Sequence, residues 1–399
     1  MLAHLEHSLS ATNNKDKKVP ILCLLPGPEP LSEEQEDHEF LTLPTHFQGF
    51  ILSPVWKGGE AAEPGQPRAS FGTFEYYTKY TLGYPAPLRV LINLLFYIQM
   101  GRALYKKAPY QAIVAYGPFT TAWAGYVLKK LTGAKLIVEF PGNPLNSFLL
   151  NAAHPGFVNH VKTWVARASA PLAVKMADHV RLLYKEQLNQ VANVEPTKTS
   201  AFHYFTAIKS IVPAEKCDNY ILALGGPWYR KGIDVLIRAF LQICDDFPTL
   251  ELCVTGFSHD AEFYEEIAAN HPRIKLCKPV PHDEAIELVR HCRIFACPSR
   301  SEGFPRVIIE AMAAARPVVA SAVDGIPSYI RDNDNGLLVR SEDVGDLAEK
   351  LVMVLSDSQL EARLGSQARE DALNSLTEDH YVDSYRDMVE LTNGKAAVA

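Results

Sequence analysis

Several signatures are missing from this chain, and each absence removes a class of chemistry. Seven cysteines include no Cys-x-x-Cys pair, so zinc ligation and thiol exchange are not expected. No Gly-x-Gly-x-x-Gly follows a strand-like run, which argues against a dinucleotide-dependent dehydrogenase. The histidines, among them His154, His160, His203, His282 and His291, lack ligand-like spacing and read as surface or packing residues. An Asp-x-Asp pair placed to chelate Mg2+ is also wanting. Asp332 and Asp334 have the spacing but sit in RDNDNG, which is ordinary turn chemistry. No metal, cofactor or nucleic-acid partner is therefore expected. The longest apolar stretch, Val90 to Ile98, is interrupted by Asn93 and falls far short of the roughly 20 residues of a spanning helix. Residues 1–18 hold no apolar segment of signal-peptide type. The expectation is a soluble, cytoplasmic protein, at most peripheral on the inner face of a membrane.

What is present begins with length. At 399 residues the chain exceeds one compact core, so two domains are expected. Free cysteines suit a reducing compartment, and Cys253, Cys277 and Cys297 lie in short strand-like runs as small apolar groups. Charge is unevenly spread. Residues 1–208 carry 19 basic and 15 acidic groups, and the remainder 20 and 31. Within the first part, residues 64–208 hold 15 basic groups against 5 acidic ones. Such a lobe suits an anionic partner such as phospholipid, lipid pyrophosphate or acidic glycan, or is simply a solvated face.

Short apolar runs alternate with helical stretches along the whole chain. In the second half the strands are Tyr220–Leu224, Leu250–Thr255, Ile274–Cys277, Arg293–Cys297 and Pro317–Ala320, separated by helices of about ten residues. The first half repeats the theme with Val19–Leu25, Ala112–Tyr116, Lys135–Phe140 and His179–Leu183, and helices over 120–131 and 158–176. Residues 55–70 read as a surface loop, and a linker is expected near 205–218. Two doubly wound parallel sheets follow, a domain over 1–208 and another over 209–376. Ligands bind beyond the carboxyl ends of such strands, so the cleft between the domains is the expected site.

The run CPSRSEGFPRVIIEAMAAARPVVAS, residues 297–321, carries the strongest chemical signal. A strand ends, a small polar turn follows, and Pro305 is suited to open a helix. Amides of Gly303 and Phe304 at that helix start form an anion site, and Gly303 admits a close backbone approach. Glu310 is a carboxylate on a helix that is otherwise apolar nearly all round, so it needs a polar partner, whether a ligand or backbone amides. Glu302 stands just outside the helix start. A second signal, Gly225-Gly226-Pro227-Trp228-Tyr229-Arg230-Lys231-Gly232, sets a glycine turn and two cations before a helix, which suits a diphosphate.

Two glutamates eight positions apart in S-E-G-F-P-x-x-x-x-E resemble the E-x7-E signature of the retaining glycosyltransferases of family four. These have the GT-B fold: two Rossmann-like domains facing across a cleft. The resemblance runs from about Tyr220 to Val339, through GGPWYRKG, VTGF, RIFACPSRSEGFP and DGIPSYI…NGLLV. It implies that Glu302 contacts donor sugar hydroxyls, Glu310 the ribose, and the backbone of Gly303, Phe304 and Pro305 the phosphates. It also implies that Lys231 neutralises the leaving diphosphate. Gly226 stands where the family has an arginine, so either Arg230 substitutes or the second cation is missing. The family's histidine after an N-terminal strand is replaced by Glu139-Phe140-Pro141-Gly142-Asn143, where Glu139 and Asn143 are the candidates. Gly27, after the first strand, resembles the flexible glycine loop under the donor phosphates.

The resemblance implies transfer of a sugar from a nucleoside diphosphate, UDP by preference, to a glycan or lipid-linked acceptor. A retaining phosphorylase, a sugar-phosphate synthase and a non-catalytic sugar-nucleotide binder stay open. For the acceptor side, residues 71–110 interleave aromatics (Phe71, Phe74, Tyr76, Tyr77, Tyr80, Tyr84, Phe96, Tyr97) with cations. They read either as a membrane-surface segment or as a core helix with a basic edge. The last helix, 377–392, is expected to pack back onto the first domain.

Overall fold

Apolar runs of four to nine residues assemble two sheets in the computed structural model, which describes residues 18–27, 39–55, 65–81, 83–143, 149–151, 155–191 and 198–394. The first sheet holds β1 (Val19–Leu24), β2 (Phe47–Val55), β3 (Ala69–Phe71), β4 (Phe74–Tyr80), β5 (Ala112–Tyr116), β6 (Lys135–Glu139), β7 (His179–Leu182) and β8 (Thr199–Ala201). Its order is β3-β4-β2-β1-β5-β6-β7-β8, parallel throughout except for the antiparallel edge strand β3. Alternate residues serve opposite layers. Leu22, Leu24, Ile113, Ala115, Leu136 and Val138 face one core, and Ile21, Cys23, Ala112, Val114 and Ile137 the other.

Helices α1 (Ala86–Lys107), α2 (Thr120–Thr132) and α3 (Phe157–Met176) cover the first of these cores. The second sheet contains β9 (Tyr220–Leu224), β10 (Glu251–Thr255), β11 (Ile274–Cys277), β12 (Ile294–Cys297), β13 (Val318–Ser321) and β14 (Leu337–Val339), ordered β11-β10-β9-β12-β13-β14. This is the strand order of a Rossmann sheet, reversing direction between β9 and β12. Its helices are α4 (Ile233–Ile243), α5 (Ala261–Ala268), α6 (His282–His291), α7 (Arg306–Ala313), α8 (Val344–Ser356) and α9 (Ser358–Ser375).

The final helix, α10 (Glu378–Thr392), leaves the second unit and seals the other face of the first sheet. The Tyr385 ring meets Phe47 edge-on at 5.5 Å, and Tyr381 meets Phe202 at 5.9 Å. A fully buried ion pair lies beneath this contact, with Arg181 Nη1 2.8 Å from Glu139 Oε2. The guanidinium carbon is 4.4 Å from the Phe202 ring centre and 4.2 Å from that of Tyr204.

Two sequence expectations need correction, and the two readings of residues 71–110 gain an observation. Val55 closes β2, and Ala69–Phe71 forms β3, so the ends of the expected loop 55–70 are strand; residues 56–64 lie outside the described residues. Among the aromatics of residues 71–110, Phe71, Phe74, Tyr76, Tyr77, Phe96 and Tyr97 are buried in the sheet and its helix layer. Cys277 is exposed, because it ends edge strand β11, whereas Cys297 on inner strand β12 is buried. Among the described residues, no helix is long and apolar enough to cross a membrane.

Candidate active site

Three loops at the carboxyl edge of the second sheet converge on one residue, Glu302. The loop after β9 contributes a one-turn helix, Trp228–Lys231, closed by Gly232 in the left-handed region at φ 68°. A Cβ at Gly232 would stand 2.0 Å from the Pro298 carbonyl oxygen, so only glycine lets this loop lie against the next one. Lys231 Nζ then reaches Glu302 Oε1 at 2.6 Å, in the loop after β12. Both side chains are nearly closed to solvent, 10% and 6% exposed. Burial disfavours the ammonium, but the facing Glu302 carboxylate outweighs it and raises the Lys231 pKa. Arg230 is the second cation, with Nη1 3.5 Å from Glu302 Oε2 and Nη2 donating to the Gly226 carbonyl at 3.0 Å.

The departure at Gly226 has a steric cause. A Cβ there would meet the Phe257 ring and carbonyl oxygen at 2.7 Å, so an arginine does not fit unless Phe257 moves. Neighbouring groups fix the cationic loop. Arg300 makes a bidentate pair with Asp234, both contacts at 2.8 Å, and its guanidinium carbon lies 4.1 Å from the Tyr229 ring centre. Ser299 Oγ donates to Glu302 Oε1 at 3.2 Å. Asp324 accepts from the Glu302 backbone N–H at 3.0 Å and from the Ser301 hydroxyl. Arg300, Asp234 and Asp324 were not singled out from the sequence. Arg300 and Asp324 lie inside runs quoted for the family resemblance, but as single charged residues in turns, like Asp234 in a first helical turn, they have no spacing of their own.

Helix α7 begins at Arg306, directly after Pro305, and its face Ile308–Ala313 is buried, Glu310 included. Glu310, Gly225 and His282 share a cavity of about 310 Å3 beside the β9 and β10 ends. His282, expected to be a packing or surface residue, is an exposed residue on the rim of this cavity at the start of α6. Gly225, at φ 95°, sits where a Cβ would be 3.3 Å from Lys231 Cε. The Phe304 ring stacks on His203 at 5.1 Å and packs edge-on against Tyr329 at 5.6 Å, so its side chain holds the linker. Burial lowers the His203 pKa to about 4, and Arg181 and His380 add to the effect.

The first sheet supplies the opposite wall. Gly27, at φ 78°, ends the turn after β1 at the same edge. Of the two candidates in the turn after β6, Glu139 is fully buried on Arg181. Asn143 instead crosses to the second unit, its Nδ2 donating to Asp324 Oδ1 at 3.2 Å. At Gly303 a Cβ would stand 3.1 Å from Gly142 Cα and 2.9 Å from Leu183 Cδ1, so the two walls touch at that glycine. The geometry therefore unites Lys231, Arg230 and Glu302 in one cluster. Gly225 and Glu310 line the adjoining cavity, and Gly303 forms the contact across the cleft. Asp332 and Asp334 lie elsewhere, near Lys350 at 3.6 Å and Arg331 at 2.7 Å respectively.

Comparison with known proteins bears on the second half most directly. Residues 205–371 match the family model for glycosyl transferases group 1. An uncharacterized glycosyltransferase of Methanocaldococcus jannaschii is 32% identical over 167 residues, covering 41% of this chain and 45% of that protein. A D-inositol 3-phosphate glycosyltransferase of Corynebacterium efficiens is 34% identical over 153 residues, 36% of each. The chain thus spans less than half the length of these curated relatives. Among solved structures, sucrose-phosphate synthase from Thermosynechococcus elongatus superposes with a TM-score of 0.75 at 18% identity, over 94% of this chain and 100% of that one. Anabaena HepE, in complex with UDP and glucose, gives 0.70 at 15% identity, over 93% and 99%. The fold is GT-B.

Proposed function

We propose, from the match of residues 205–371 to the family model for glycosyl transferases group 1, that the chain is a glycosyltransferase using a nucleoside diphosphate sugar. UDP is the favoured nucleotide, since the HepE structures are described as complexes with UDP, UDP and glucose, or UDP-glucose. The observation that carries this reading is the buried Lys231–Glu302 pair beside the cavity of Glu310. A diphosphate presented to Lys231 and Arg230 meets two cations, and its remaining oxygens meet the α7 end of the loop at Gly303 and Phe304. When the diphosphate takes over Lys231, a Glu302 oxygen becomes available to accept from a sugar hydroxyl. Glu310 would hold the ribose, and Gly27 would lie beneath the phosphates from the other wall.

In the reaction, the bond from the anomeric carbon to the diphosphate oxygen breaks. A bond to the acceptor hydroxyl oxygen forms on the same face, and the hydroxyl proton passes to the leaving phosphate. Lys231 and Arg230 stabilise the charge that develops on that phosphate. The acceptor is a glycan or lipid-linked hydroxyl, consistent with the basic character of residues 64–208. A phosphorylated polyol acceptor is the second reading, favoured by the relatives named for D-inositol 3-phosphate.

Calorimetry with UDP, GDP and ADP tests the donor site. Micromolar binding of one nucleotide, lost in Glu310→Ala, supports it; no binding by any of the three overturns the assignment. The anomer of the product, read by NMR, tests retention.

A further inference from the structure

Of the three helices covering the first sheet, α3 inverts the usual arrangement of a surface layer, and α1 and α2 add exposed apolar groups beside it. Toward the core, α3 turns mostly small or polar residues: Thr163, Ala166, Ser169, Ala170 and Ala173, with Val174 near its end. Toward solvent it turns Phe157, Val161, Trp164, Val165 and Leu172, with Phe157 82% and Trp164 70% exposed. These outward residues recur at helical spacing, so they form one stripe. On α1 the residues Leu88, Leu91 and Leu95 make a parallel exposed stripe, and Trp123 stands outward in the first turn of α2. Among the described residues, 12 of the 16 exposed large hydrophobic side chains lie on these three helices. Scattered singles need no explanation, but a concentration of this kind marks an interaction surface.

Position and charge say what kind. The strands before α1, α2 and α3 run parallel, so all three helices start at the edge that carries Gly27 and Asn143. The exposed large apolar side chains of α1, and all those of α3 except Leu172, fall in the first halves of the helices, beside the mouth of the cleft. The three helices together contain nine Lys and Arg and no Asp or Glu. Two of the nine, Lys107 and Lys129, pair with Glu75 and Asp178 from outside the helices. Arg102, Lys106, Lys130, Lys162, Arg167 and Lys175 are on the exposed surface. Bulky apolar groups toward the helix starts, with Lys162 beside them, the other exposed cations toward the helix ends and no acid within the three helices, complement a bilayer carrying negative headgroups. The rings enter the acyl boundary, and the cations stay at headgroup level.

We propose that the α1–α2–α3 face docks on an anionic phospholipid surface, with Phe157 and Trp164 as the inserted side chains. The cleft mouth then opens toward the bilayer, so the acceptor hydroxyl is carried by a membrane lipid. This deepens the glycosyltransferase reading by naming the acceptor class, and vesicle binding needs neither donor nor turnover. A failed donor titration and a failed vesicle experiment are therefore distinguishable.

The test is co-sedimentation of the full chain with vesicles of phosphatidylcholine alone, or with roughly one-third phosphatidylglycerol. The wild type is expected to partition onto the anionic vesicles and to remain in solution with the neutral ones. The double variant Phe157→Glu/Trp164→Glu is expected to bind at least about tenfold more weakly. Its melting temperature and nucleotide affinity should be unchanged, because both side chains are exposed and outside the donor site. Equal partitioning of wild type and variant, or no partitioning by the wild type, overturns the proposal. So does light scattering that finds a lipid-free dimer which the variant reduces to a monomer, since the face would then pair two copies of the chain.

Discussion

Lys231 Nζ and Glu302 Oε1 are 2.6 Å apart in a pocket where both side chains are all but closed to solvent. They come from loops after β9 and β12, the two strands between which the second sheet reverses its winding. Burial disfavours the Lys231 ammonium, and the facing Glu302 carboxylate outweighs that and keeps it charged. Each group is the other's compensation for lost water.

Replacing Lys231 by Ala therefore removes the cation assigned to the leaving group. The turnover number should drop by about 10²–10³-fold, the scale of deleting one preorganised electrostatic contact. Steady-state kinetics with the sugar nucleotide identified by calorimetry provides the check. Lys231→Arg keeps charge but not reach, and should recover only part of the loss. Near-normal turnover in Lys231→Ala would remove that residue from the mechanism.

Gly303 makes a second, sterically driven prediction. A methyl group there would meet Leu183 at 2.9 Å and the Pro141 carbonyl oxygen at 3.1 Å, both on the opposite wall. Neither sheet is disturbed if the walls separate slightly. Gly303→Ala should thus leave the melting temperature nearly unchanged and raise the radius of gyration measured by X-ray scattering. It should also lower kcat/KM, because the Asn143–Asp324 contact across the cleft is broken. A fall in stability with unaltered dimensions would mean that the loop, not the cleft, absorbs the strain.

How far these features were legible depends on whether the signal was periodic or positional. Strands such as Tyr220–Leu224 and Ala112–Tyr116 stand between clear helices and glycine turns, and the sequence places their ends where the structure does. In contrast, β2 and β4 were missed as strands. Phe47–Val55 contains a glycine and a proline, and Phe74–Tyr80 mixes aromatics with charges, which resembled a surface segment. The buried Arg181–Glu139 pair was invisible because its partners lie on neighbouring strands and look like ordinary single charges. Glu310 was found because a carboxylate in an apolar helix contradicts its surroundings, and Glu302 because it stands just outside that helix start. The outward stripe of α3 was overlooked for the opposite reason: its hydrophobic spacing looks like a buried helix, and only the fold reveals which face is inside.

That same ion pair supplies a stability prediction. Arg181→Ala would leave Glu139 fully buried without its cation and remove the guanidinium packed among Phe202, Tyr204 and Tyr381. The loss should be about 3–5 kcal/mol in denaturant unfolding. Arg181→Met/Glu139→Gln should lose less than the sum of the two single variants, because no lone charge remains. Additive losses would show that the two side chains act independently.

Acid sensitivity follows from two imidazoles, His179 buried and His203 half-buried. His179 lies between strands with Nε2 2.9 Å from Ser200 Oγ, and burial lowers its pKa to about 4. His203, stacked on Phe304, is lowered to about 4 by burial above all. In the unfolded chain both should titrate near the ordinary histidine value of about 6.5. Between those limits the unfolded state binds protons that the folded state refuses, so stability rises with pH across the interval. The contribution is fully present above about pH 6.5 and is lost as the pH falls toward 4, by about 1.4 kcal/mol per pH unit for each histidine. Urea unfolding between about pH 7 and about pH 5 measures the slope. His203→Phe keeps a ring against Phe304 while deleting the titration, so its slope should be shallower than that of the wild type. An identical slope would assign the acid sensitivity to other groups.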